Sequence, residues 1–131
     1  YELDPEIVES CYRHLPTICS KVKKSNTVNT FWGDAFESIK SVEDSKYDKI
    51  FVDLNDDQYC IDLARKNMKA LKRILKPGGV ITAQVGSKDK KPKQVKNWCN
   101  VLEKSFGNVN VSGVYIPSFD CNWNFASSIM K

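Results

Sequence analysis

The sequence is poor in the residues that build metal centres and disulfide frameworks. It has one histidine, His14, and five cysteines at wide, irregular spacings (Cys11, Cys19, Cys60, Cys99 and Cys121), with no Cys-x-x-Cys pair. An odd set of scattered thiols beside a single imidazole argues against both a zinc site and a disulfide scaffold. No metal is expected, and free thiols fit a reducing cytoplasm. No apolar run approaches the roughly 20 residues that a membrane-spanning helix requires, so no membrane partner is expected either. There is no internal repeat and no low-complexity linker. The chain opens Tyr-Glu-Leu-Asp-Pro, without an initiator methionine or a basic-then-apolar leader. It reads as a segment of a longer protein, and no signal peptide is visible in it.

What is present fits one globular domain. The 131 residues are 41% hydrophobic and 27% charged, an ordinary balance for a packed fold. A chain of this size buries about two-thirds of its unfolded surface. Twenty Lys and Arg against sixteen Asp and Glu leave a net charge of +4. The densest basic cluster is Lys88, Lys90, Lys91, Lys93 and Lys96, with no arginine and no aromatic before Trp98. A nucleic-acid surface interleaves such charge with aromatics. This cluster reads instead as a solvated loop and helix start, and no nucleic-acid partner is expected.

Strand and helix signals alternate along the chain. Asp4-Pro5-Glu6 marks a helix start, and Ile7, Val8, Cys11 and Leu15 follow at helical spacing up to Pro16. Thr27 to Trp32 alternates and is β-branched, the pattern of a strand. Asp34 after Gly33 caps a short helix through Ile39. Tyr47 to Asp53 is an apolar strand. Leu63, Met68, Leu71, Ile74 and Leu75 mark a helix that stops at Lys76-Pro77-Gly78-Gly79. Val80 to Val85 is a strand, Val95 to Phe106 a helix, and 109–116 and 123–129 are two closing strands. Such alternation predicts an α/β fold: a doubly wound, mostly parallel sheet with helices on both faces. The last two strands, with no helix between them, predict a C-terminal antiparallel hairpin.

Ligands in such sheets sit beyond the carboxyl ends of the strands. Acids stand there three times in succession: Glu2 and Asp4, then Asp34, then Asp53 to Asp57. Each has a bland reading, since an Asp after a strand is often the N-cap of the next helix. Asp56 or Asp57 can cap the helix that begins near Ile61, Asp34 the short helix behind it, and Asp53 can be a solvated strand end. Three in one chain point to a shared polar ligand.

Several segments resemble one enzyme family. Tyr1 to Pro5 resembles the second strand of class I S-adenosylmethionine-type nucleotide folds. Trp32-Gly33-Asp34-Ala35-Phe36 resembles their "GDA" turn, and Leu75-Lys76-Pro77-Gly78-Gly79 their "LKPGG" turn. Tyr47-Asp48-Lys49-Ile50-Phe51-Val52-Asp53-Leu54-Asn55-Asp56 is similar to the "YDVIIxDxxD" segment of polyamine aminopropyltransferases, the spermidine/spermine synthases. Ile116-Pro117-Ser118-Phe119 with Trp123-Asn124-Phe125-Ala126 resembles that family's closing hairpin, and Thr82-Ala83-Gln84 its strand-ending Gln. Phe119 stands where the family usually has a Tyr that touches the polyamine, and Asp57 follows Asp56 where the family has a Pro.

The resemblance implies a Rossmann-like domain of the class I methyltransferase type, of which residues 1–131 are the C-terminal part. The first strand and the Gly-rich loop lie outside this chain. It implies transfer of an aminopropyl group from decarboxylated S-adenosylmethionine, a co-substrate rather than a prosthetic group, to a polyamine such as putrescine or spermidine. Asp53 would be catalytic, and Asp56 and Gln84 would bind the polyamine. Glu2, Asp34 and Ala35 would bind the nucleoside donor. A homodimer or larger assembly is implied for the full-length protein, whereas this segment alone is expected to be inactive. Two alternatives stay open: a methyltransferase-like domain using intact S-adenosylmethionine, and a non-catalytic relative.

Overall fold

The computed structural model describes residues 1–55 and 57–131. They form two compact units, Tyr1–Ser41 and Val42–Lys131. Among the described residues, no helix is long and apolar enough to cross a membrane.

The first unit is built from helices and turns. Helix α1 (Pro5–His14) starts where the sequence predicts, with Asp4 as N-cap accepting from the Glu6 backbone N–H at 2.9 Å. A second helix, α2 (Pro16–Lys23), was not expected. Pro16 ends α1 and, at the first position of α2, supplies a ring already set for a helical turn. Thr27 to Trp32 is not a strand. It contributes one parallel bridge, Glu2 with Trp32, and Val28 and Phe31 stay exposed. β-branched alternation makes a strand only where a neighbour covers one face, and here Val28 stays 47% exposed. Asp34 caps α3 (Ala35–Ser38), which continues as a 3₁₀ turn over Ile39–Ser41. Phe36 and Ile39 are the buried residues of this stretch.

The second unit is a four-stranded sheet with two helices. Strand β1 (Tyr47–Val52) leads into α4 (Gln58–Ile74), β2 (Leu75–Gly86), α5 (Pro92–Phe106), β3 (Asn110–Ile116) and β4 (Cys121–Ile129). The order across the sheet is β1-β2-β4-β3. β1 and β2 run parallel, whereas β4 is antiparallel to both β2 and β3. The sheet is therefore mixed α/β. The predicted hairpin is present, and it weighs more here than in the mostly parallel arrangement expected, because the 27–32 segment adds no strand.

Helices α4 and α5 contact each other and the sheet, so they supply one helical layer of the doubly wound design. Ile61, Trp98, Leu102, Ile81, Ala83 and Val85 form a closed core. Alternate residues of β2 (Val80, Thr82, Gln84) stay half-exposed on the other face, as the period of two demands.

The helix-ending Lys76-Pro77-Gly78-Gly79 turns out to lie inside β2, which starts at Leu75. A register shift between Tyr47 and Lys49 absorbs the extra residues. A Cβ on Gly79 would lie 2.8 Å from both Leu75 Cδ1 and the Lys76 carbonyl, so only glycine fits there.

Candidate active site

The sequence-predicted residues gather at two places, one in each unit. In the first, the N-terminal segment meets residues 31–33. The Glu2 backbone N–H donates to the Phe31 carbonyl at 2.9 Å, and the Gly33 N–H donates to the Glu2 carbonyl at 2.9 Å. Gly33 has φ +111°, a backbone shape that side chains resist, and it turns the chain straight into Asp34. Glu2 and Asp34 are thus brought to neighbouring positions by backbone bonding. The stacked rings of Tyr1 and Phe31 (centroids 4.9 Å apart) brace the same bridge.

Both carboxylates also serve local structure. Glu2 Oε1 accepts from the Asp4 N–H at 3.0 Å. Asp34 Oδ1 accepts from the Phe36 N–H at 2.7 Å and from the Glu37 N–H at 3.4 Å. Each keeps further lone pairs, because an ionised carboxylate offers about four acceptor positions. Ala35 is half-buried at the first position of α3. Two acceptor-rich side chains at the ends of bridged segments suit a ligand rich in hydroxyl and amino donors.

In the second unit, the parallel strands β1 and β2 meet. The register pairs Val52, the last residue of β1, with Ala83, so Asp53 follows β1 directly while Gln84, the next residue of β2, lies two residues before that strand ends at Gly86 rather than at its end as expected. Asp53 is exposed, and among the described residues no side chain pairs with its carboxylate. Gln84 is half-buried and engaged at both ends of its amide. Its Nε2 donates to the Leu54 carbonyl, and its Oε1 accepts from Trp123 Nε1 at 2.8 Å. Asp57 is the N-cap of α4 and accepts from the Cys60 N–H at 2.8 Å. The capping reading therefore belongs to Asp57. Asp56, the expected anchor of the polyamine, lies outside the described residues.

The hairpin turn adds three aromatics. Phe119 lies against Trp123, centroids 4.7 Å apart. The Tyr115 hydroxyl donates to Asp120 Oδ1 at 2.7 Å, and that hydrogen bond raises its pKa above the usual 10. Trp123 reads in the sequence as a packing residue. Its bond to Gln84 joins positions far apart in the chain, which no local pattern signals.

The sequence profile of the spermine/spermidine synthase domain matches residues 1–131. The chain belongs to that family. A polyamine aminopropyltransferase of Korarchaeum cryptofilum is 22% identical over 127 residues, covering 95% of this chain and 39% of that protein. Polyamine aminopropyltransferase 2 of Hyperthermus butylicus is 28% identical over 131 residues, covering 97% and 43%. The chain spans less than half the length of these relatives. Among solved structures, a spermidine synthase from Thermotoga maritima superposes with a TM-score of 0.84 at 16% identity, over 99% of this chain and 44% of that one. A spermidine synthase in complex with the transition-state analogue AdoDATO superposes with a TM-score of 0.80 at 15% identity, covering 98% of this chain and 43% of that one. The synthase fold, with its mixed sheet and closing hairpin, is thereby shared.

Proposed function

We propose that residues 1–131 are the C-terminal part of one Rossmann-like catalytic domain of a polyamine aminopropyltransferase. The full-length protein then transfers the aminopropyl group of decarboxylated S-adenosylmethionine to putrescine or spermidine. The observation that carries this reading is the match of the whole chain to the family profile, within which an exposed Asp53 directly follows β1 and Gln84 lies on the neighbouring strand β2.

The sulfonium of the donor already activates the carbon that is attacked. The amine nitrogen forms a bond to that carbon, the carbon–sulfur bond breaks, and its electron pair neutralises the sulfur to leave methylthioadenosine. What the protein must supply is an unprotonated, oriented amine. In water such an amine is protonated, with a pKa about that of Lys, near 10. Asp53 attracts the cationic substrate and accepts the proton as the new bond forms, a role worth about 10²–10⁴-fold. Gln84 keeps one N–H and one carbonyl lone pair for the amine after its two protein contacts. Asp56 anchors the far ammonium. Glu2 holds the ribose hydroxyls by charge-assisted hydrogen bonds, while Asp34 accepts from the adenine amino group at the turn before Ala35. A local negative potential at these carboxylates draws in a polycation in spite of the positive net charge. A cytoplasmic homodimer or larger assembly belongs to the same proposal.

The test is an assay of the full-length protein with decarboxylated and with intact S-adenosylmethionine, each offered putrescine or spermidine. Methylthioadenosine and a lengthened polyamine, formed with the decarboxylated donor only, are expected. Methyl transfer from the intact donor, or binding of neither, overturns the reading.

A further inference from the structure

The side chain of Gln84 does more than line β2. It ties together three segments that are distant in sequence. Through Nε2 it holds the Leu54 carbonyl just past β1, and through Oε1 it holds the indole of Trp123 on β4. Beyond a strand end the backbone has left its ladder, and its polar groups need other partners. For the carbonyl of Leu54, the residue after Asp53, the partner is this amide.

The orientation of that amide is not arbitrary. An indole N–H can only donate, so Trp123 must be met by the carbonyl end of Gln84. The amino end is thereby turned toward Leu54. Trp123 itself is held from the turn side, where its ring packs on Phe119. The Phe119 carbonyl in turn accepts from Lys90 Nζ at 2.9 Å. A chain of contacts thus runs from the hairpin turn to the residue beside Asp53.

We propose that Gln84 and Trp123 form a positioning clamp that fixes the Leu54 peptide, and through it holds the Asp53 carboxylate where the acceptor amine must lose its proton. This rests on the reading of Asp53 as the proton acceptor. Trp123 is a positioning residue in this account, acting through Gln84 and Leu54. Its effect appears in turnover, because a carboxylate displaced by about 1 Å can cost about 10²-fold. A residue that only binds the amine raises the acceptor KM and leaves kcat alone.

The experiment uses full-length protein carrying Trp123→Phe, Gln84→Leu or both. The acceptor is varied at saturating donor, and indole N–H resonances are recorded on ¹⁵N-tryptophan-labelled protein. Trp123→Phe should lower kcat about 10²-fold with the acceptor KM within roughly twofold, whereas Gln84→Leu, which also removes a proposed amine contact, should lower kcat as far and raise the acceptor KM as well. The double variant should lose little more than the worse single one, as expected of residues acting as a unit. The indole resonance that vanishes in Trp123→Phe should move upfield in Gln84→Leu as it loses its acceptor. Wild-type kcat in Trp123→Phe, a rise in acceptor KM alone in Gln84→Leu, or an unmoved indole resonance each overturns the clamp. A full-length protein that transfers no aminopropyl group sinks the reading of Asp53, and with it the catalytic purpose of the clamp. The indole resonance then still reports whether the clamp exists, so the two failures are distinguishable.

Discussion

Residues 1–41 and residues 42–131 are held by different forces. In the first unit Leu3 and Ile18 are 73% and 70% exposed, and neither α1 nor α2 has a buried residue. Apart from the buried Phe36 and Ile39, its shape comes from hydrogen bonds at its turns: the Asp4 and Asp34 caps, the two backbone bonds of Glu2 to the 31–33 segment, and the turn at Gly33. The second unit is organised by burial, with Trp98 1% exposed and Ile61, Ile81 and Leu102 fully enclosed. The proposed donor-binding residues therefore sit on turns fixed by hydrogen bonds, whereas the proposed acceptor side sits on the rim of a packed sheet. One can be altered by changing a cap. The other depends on contacts that span the chain.

The largest contrast should appear in stability. Trp98→Ala removes the centre of the second unit's core and should cost about 3–5 kcal/mol, as large aromatic truncations do. Ile18→Ala, at an exposed site, should stay within about 0.5 kcal/mol. Urea unfolding of both variants measures this, and equal losses would break the contrast.

A smaller effect separates the two duties of Asp34. Asp34→Ala should cost about 1 kcal/mol through loss of the cap. Asp34→Ser should keep the cap, since serine caps as well as aspartate, yet lose affinity for an adenine nucleoside. Calorimetric titration with methylthioadenosine alongside thermal unfolding checks both halves. Undiminished binding by Asp34→Ser would leave Asp34 a cap and nothing more.

The smallest effect is electrostatic. Lys76 Nζ lies 2.8 Å from Asp48 Oδ1, joining the starts of β2 and β1. The hydrogen bond from Lys76 and its charge lower the Asp48 pKa below 3.8. A lowered folded-state value means stability that is present above the unfolded value near 3.8 and lost as pH falls through the lower folded one. Asp48→Asn should therefore lower the melting temperature slightly at neutral pH and not at strongly acid pH. Because the pair is exposed, added salt should shrink the difference. A gap between the two proteins that persists in acid would contradict the sign.

What was legible in the sequence follows the same division. Helix α5 and the closing strands appear close to where hydrophobic spacing puts them, because Val95, Trp98, Leu102 and Phe106 all face the core. Helix α4 begins earlier than the apolar pattern suggests, since its start is set by the Asp57 cap rather than by burial. In the first unit, α2 escaped notice because its residues bury nothing and its one signal is Pro16. The alternation at 27–32 misled for the complementary reason: it has the strand composition without the neighbour. At the candidate site, the place of Asp53 just past β1 was readable from the apolar run before it, whereas Gln84, expected at a strand end, lies two residues inside β2. The pairing of Gln84 with Trp123 was not, because it depends on β4 returning between β2 and β3.

The central claim is that Asp53 in the second unit handles the acceptor while Glu2 in the first holds the donor. Steady-state kinetics of full-length Asp53→Asn and Glu2→Gln, with donor and acceptor varied separately, tests it most directly. Asp53→Asn keeps size and hydrogen-bonding capacity but loses the charge and the proton acceptor, so turnover should fall about 10²–10⁴-fold with nucleoside binding nearly intact. Glu2→Gln should weaken donor binding and leave turnover at saturation far less changed. Near-normal turnover in Asp53→Asn would contradict the account and leave Asp53 a solvated strand end.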